Sequence, residues 1–270
     1  MQKYDIGILI PAIRTNRWVD LYNSIALSCK NHTWQLVLVS PFALPKELSH
    51  HTNIKIISEF GQVSRAVQRG MLEVDSDLVF LTVDDCVMLE DAIDKCILQY
   101  KAQCSQNDVL NMRYSEGGDI WNIAQYTAGF HGALRIHGVD PKWQIAPQFL
   151  MDKNYFVSIG GFDCRYEYIN EPVHDFMFRV QLLGGSIIHS DTHCCIATHY
   201  PETTKDHAPI HHAQLGHDYP IFIERYRNGQ IDLIIDYDNW KNTPAIWNRR
   251  FNNGVSHSYE ELIQKEGYNI

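Results

Sequence analysis

Asp77-Leu78-Val79-Phe80-Leu81-Thr82-Val83-Asp84-Asp85-Cys86 is the stretch on which the fold turns. Leu78 to Thr82 is short and almost wholly apolar, with β-branched and aromatic content, and reads as a buried central strand. Two adjacent carboxylates follow at once, and Val87-Met88-Leu89-Glu90-Asp91-Ala92-Ile93 reads as the opening of a helix. In open α/β sheets, ligands bind at the carboxyl ends of strands. Two acidic side chains placed there repel each other and lose hydration, so a cationic group is expected to compensate them. Oxygen-only ligands suit Mg2+ or Mn2+, with phosphate oxygens completing the shell. The other reading of the pair is that Asp84 caps the helix and Asp85 is solvated in a turn.

Upstream of this stretch, residues 5–11 read as a buried first strand stopped by Pro11. Thr15 or Asn16 can cap a helix carrying Trp18, Leu21, Tyr22, Ile25 and Leu27. Residues 34–40 and 53–58 read as the second and third strands, with a loop between Pro41 and Pro45. Gly61 introduces a helical stretch over 63–72 with Val63, Ala66, Val67 and Gly70 along one face. Strands alternating with helices predict βαβ units and a mainly parallel sheet.

Downstream, residues 109–114 can form a strand within a less regular segment, 108–147. Its Trp121, Tyr126, Phe130 and Trp143 read either as core or as a surface whose rings stack on a sugar acceptor. Gly160-Gly161 allows positive φ or close backbone approach, and Phe162 anchors the turn. Pro172 and Gly184 bracket a helix in which Asp175 and Arg179 stand at i and i+4, the spacing of a plain ion pair. Residues 219–226 read as helical and 231–236 as strand-like.

The 270 residues suffice for one large α/β domain with a C-terminal extension. A net charge of −9, with the 23 basic residues scattered rather than striped, argues against a nucleic-acid surface. No apolar run approaches the roughly 20 residues that cross a bilayer, so no integral span is expected. The N-terminus enters a strand-like run directly, without a secretory pattern. Seven cysteines without a CxxC pair fit reduced thiols in a cytoplasmic protein, with peripheral membrane attachment left open.

Taken in order, Ile10-Pro11, Gly61 with Ala66-Val67-Gln68-Arg69-Gly70, Phe80 to Asp85, Gly160-Gly161-Phe162-Asp163 and His174 to Arg179 resemble glycosyltransferase family 2. That family inverts and has the GT-A fold, a Rossmann-like, mainly parallel sheet flanked by helices. The resemblance spans about the first 190 to 200 residues. It implies a GT-A domain over 1–200, with a nucleotide-sugar half (about 1–105) and an acceptor half (106–200). Residues 201–270 are then a C-terminal extension, whose histidine-rich segment reads as a lid.

The resemblance also implies roles. Asp85 would contact a divalent metal, Mn2+ or Mg2+, bridging the donor diphosphate, with Asp84 nearer the ribose or sugar. Pro11, Ala12 and Arg14 would border the nucleotide, and Gly61, Arg65 and Gln68 would belong to the donor site. Asp175 would be the general base, a role that needs its carboxylate within about 3 Å of the acceptor hydroxyl. His199 would complete the metal shell. The donor would be a UDP-sugar or GDP-sugar, and the acceptor a glycan, a lipid-linked molecule or a protein. Ser40-Pro41 stands where the family commonly has an acidic residue for the base, and Gln68 replaces a common asparagine. A nucleotidyltransferase on a similar sheet and a non-catalytic nucleotide-sugar or glycan binder are the alternative readings.

Overall fold

The computed structural model describes residues 3–116, 144–197, 214–227 and 232–243. Its frame is an eight-stranded sheet in the order β3-β2-β1-β4-β7-β6-β8-β5. The strands are β1 (Ile6–Pro11), β2 (Trp34–Ser40), β3 (Ile54–Ser58), β4 (Leu78–Leu81), β5 (Cys86–Met88), β6 (Val109–Glu116), β7 (Phe149–Asp152) and β8 (Ile187–Ala197). β3, β2, β1 and β4 are all parallel, as the alternation of strands and helices predicts. β7 then runs antiparallel to both β4 and β6, β8 runs parallel to β6, and β5 antiparallel to β8. The sheet is therefore parallel through its first half and mixed beyond it.

The period-2 alternation of the central strands feeds a core on each face. Ile8, Ile10 and Phe80 point into a cluster with α1 (Trp18–Ser28) and α3 (Ala92–Gln103). Leu9, Val79 and Leu81 point the other way, onto α2 (Val63–Glu73), α4 (Lys153–Ser158) and α5 (Asn170–Leu182). A small third cluster of Ile145, Tyr166, Phe178 and Phe222 seats α6 (Tyr219–Arg227) against α5. All seven cysteines are free thiols, and six are buried.

Two expected elements differ. The residues after Asp85 do not open a helix: Cys86 and Met88 are buried while Val87 is 46% exposed, a strand alternation that pairs β5 with β8. The helix waits until Ala92, after Asp91 has turned the backbone with a φ of 57°. The described part of 231–236 is not a strand either. Residues 232–236 cross the surface irregularly, Ile234 is 62% exposed, and a 3-10 turn over Tyr237–Asn242 follows. Together, 232–243 form a strap over α2 and the Gly160 turn.

Candidate functional site

Because β1 and β4 are parallel neighbours in register (Ile8 beside Phe80, Leu9 beside Leu81), the residues that follow each strand meet at the same edge. There Oδ2 of Asp84 accepts from the Ile13 N–H at 2.7 Å, the Arg14 N–H at 2.6 Å and the Trp18 indole N–H at 3.1 Å. Its Oδ1 accepts from Arg14 Nη1 at 2.5 Å, and Arg14 Nη2 lies 3.7 Å from Asp85 Oδ2. Arg14, Asp84 and Asp85 are all buried. The cation that the sequence demands beside two carboxylates is thus supplied by the chain, from 70 residues upstream. Asp84 does not cap α3, whose N-terminal residue Asp91 makes no side-chain cap. It fastens the turn after β1 instead.

This arrangement bears on the metal that the family resemblance implies. Mg2+ or Mn2+ needs carboxylate lone pairs at about 2.1 Å. Asp84 has given both oxygens to N–H donors, and a dication at Asp85 would stand beside a guanidinium that cannot lose its charge. Among the described residues, no group of three or more His, Cys, Asp or Glu could hold a metal ion. The described residues do not fit a two-aspartate metal site. His199, the other expected ligand, lies outside the described residues, as do Trp121, Tyr126, Phe130, Trp143 and most of the histidine-rich segment. His217, at its end, pairs with the fully buried Asp218 through Nδ1 at 2.7 Å.

The remaining donor-site candidates fall in two places. Pro11 and Ala12 end β1 beside Arg14, with the Ala12 N–H on the Val39 carbonyl at 2.9 Å. Gly61 precedes α2, and Arg65 and Gln68 lie on it; all three are engaged by the protein. The Gly61 N–H and Arg65 Nε both donate to Glu59 Oε1, at 2.9 and 2.8 Å. Arg65 Nη1 donates to the carbonyls of Trp240, at 2.9 Å, and Thr243. Gln68 donates from Nε2 to the carbonyls of Gly160 and Tyr237, each at 3.0 Å, and accepts from the Phe162 N–H at 3.0 Å. These side chains bind the strap and the glycine turn to α2. Glu59 was not singled out in the sequence, although it directly follows β3 at the same carboxyl edge as Asp84. Burial pushes its carboxyl up, but Arg69 and Arg65 outweigh that and leave it lowered.

Asp175 occupies a closed setting. Its side chain and that of Arg179 are fully buried, and Arg179 Nε donates to Oδ2 at 2.9 Å. The rest of the Arg179 fork holds the carbonyls of Ile159, at 2.7 Å, and Gly161. From α6, the Tyr226 hydroxyl donates to Asp175 Oδ1 at 2.8 Å and Arg225 Nη1 lies 3.1 Å from the same oxygen. Arg225 also reaches Asp163 Oδ2 at 2.9 Å. Burial, and after it the charge of Asp175, pushes the Tyr226 phenol well above its ordinary range. The intrahelical pair read from the i, i+4 spacing is present. Its partners on α6 were not legible, because nothing local links Asp175 to a helix some 50 residues on.

No protein-family model matches the chain, and no curated protein matches it by sequence. Solved structures do. The crystal structure of Staphylococcus aureus TarS is similar with a TM-score of 0.53 at 12% identity, over 73% of this chain. TarS residues 1–349 in complex with UDP give a TM-score of 0.53 at 12% identity, over 92% of this chain. The chain spans 37% of the first structure and 72% of the second. Identity this low makes the likeness one of fold. The GT-A class of fold expected from the sequence is the fold the chain has.

Proposed function

We propose that the chain is a glycosyltransferase that takes a nucleoside-diphosphate sugar at the carboxyl edge of β1 and β4. The observation that carries this reading is the convergence of Arg14, Asp84 and Asp85 at that edge, in a fold like that of a protein crystallised with UDP. Fold alone assigns no chemistry, so the weight rests on the site. Three buried charged groups at a strand-end ligand position are costly to maintain without a task. The reaction is single displacement: an acceptor hydroxyl attacks the anomeric carbon, the nucleoside diphosphate leaves from the opposite face, and configuration inverts.

Asp175 is the residue the family resemblance names for the base. To take a proton it must first release Tyr226 or Arg225, since α6 covers it in this arrangement. That geometry favours a second reading, a relative that binds a nucleotide-sugar without turning it over. The test is thermal stabilisation of the full chain by UDP, GDP and their sugars, followed by assay for released nucleoside diphosphate. A ligand at about 100 times its Kd should add about 2.7 kcal/mol. Stabilisation with release of nucleoside diphosphate supports transfer. Stabilisation without it favours the binder, released pyrophosphate would mean nucleotidyl transfer, and no stabilisation rejects the donor site.

A further inference from the structure

Resting on the nucleotide-sugar reading, we propose that Arg14 takes the place of a divalent metal at Asp84 and Asp85. Its guanidinium is the built-in cation of the pair, and nucleotide binding at this edge is independent of divalent metal. Four features carry this. Arg14 is 6% exposed and its two terminal nitrogens face one aspartate each, so a single group spans the pair. Its own backbone N–H also donates to Asp84 at 2.6 Å, which fixes the turn that carries the side chain. Asp84 has in addition the Ile13 N–H and the Trp18 indole, a set of donors that a cation would have to strip away. The guanidinium stays charged at any working pH, so the neutralisation is permanent, where a bound ion would depend on concentration.

Without the Arg14 guanidinium the same edge loses the one group that spans both carboxylates, a place that a divalent ion can then take. Arg14→Gln should therefore gain Mn2+ binding at this edge. A residue that merely braced the turn would show no such gain.

The experiment titrates nucleotide-free full chain with Mn2+, following the paramagnetic signal of the free ion, and then measures UDP and GDP binding by calorimetry in EDTA and in Mn2+. For the natural chain we expect the Mn2+ signal to stay that of the free ion, and the nucleotide Kd to agree between EDTA and Mn2+ within about twofold. Arg14→Gln should withdraw Mn2+ from solution and lose about tenfold or more in nucleotide affinity in EDTA, the scale of one charge-assisted hydrogen bond. Sequestration of Mn2+ by the natural chain overturns the proposal, as does a Kd about tenfold weaker in EDTA. So does a folded Arg14→Gln that leaves Mn2+ free. Should the variant fail to fold, the two measurements on the natural chain decide. Should no nucleotide bind in any condition, the nucleotide-sugar reading falls, and the metal-independence claim falls with it. The Mn2+ titration still decides whether the pair is a metal site.

Discussion

At the residue scale, the two aspartate sites differ in what was legible. Asp84-Asp85 could be placed at a strand end because an apolar run followed by carboxylates is a local pattern. The need for a cation beside them followed from Coulomb repulsion alone. The cation's identity did not, since Arg14 arrives through the β1–β4 register rather than through sequence proximity. Asp175 is the harder case, because the role of a carboxylate depends on what covers it. With Arg179, Arg225 and Tyr226 around it, Asp175→Asn leaves two buried guanidinium groups facing an amide. Breaking a buried pair in this way costs about 3–5 kcal/mol. Tyr226→Phe, which removes one hydrogen bond, should cost about 1 kcal/mol. Urea denaturation of both variants checks the ranking. An Asp175→Asn protein of undiminished stability that has lost sugar transfer would establish the base and remove the anchor.

At the element scale, the Gly160-Gly161 turn shows how the strap is held. Both glycines have positive φ, at 90° and 61°. A Cβ on Gly160 would lie 2.1 Å from the Ile235 carbonyl oxygen, and one on Gly161 2.1 Å from Gln68 Oε1. The paired glycines are therefore required twice, for conformation and for the approach of the strap and α2. The sequence disclosed the glycine turn but not the strap. Ile234 and Ile235 look like a strand by composition, yet they pair with no strand among the described residues, and Ile235 instead donates its N–H to the Ile159 carbonyl at 3.3 Å. Gly184 supplies the control, with a φ of 91° and nothing within 4 Å of its Cβ position. Gly184→Ala should cost only the left-handed backbone penalty, about 1–2 kcal/mol. Gly161→Ala should cost about twice that or more, because the contact with Gln68 adds to the same strain. Equal urea midpoints for the two variants would mean that the strap yields without cost.

At the scale of the whole molecule, the parallel half of the sheet was legible because β1, β2 and β4 are apolar runs punctuated by helices. The mixed half was not. Apolar content says that β7 is buried but not that it runs against β4, and β8 carries a polar run from His189 to His193 in which Ser190 is itself buried. One sheet nevertheless joins the two halves through the β4–β7 pair, with a core on each face. The burial of the thiols follows from that construction, since Cys86, Cys96, Cys194 and Cys195 share the core with strands from both halves. Only Cys104 is reachable, and burial, then the charge of Asp108, pushes its thiol up to about 11. A thiol reagent at neutral pH should accordingly modify Cys104 slowly, and the other six together, at one rate set by global opening. Mass spectra showing zero, one or seven labels, with few intermediates, are the expected record. A ladder of two to six labels would mean that the halves come apart separately. The cysteines thus serve as a stopwatch for unfolding: time to full labelling measures how long the native state lasts, and any nucleotide that lengthens it can be identified without an assay for chemistry.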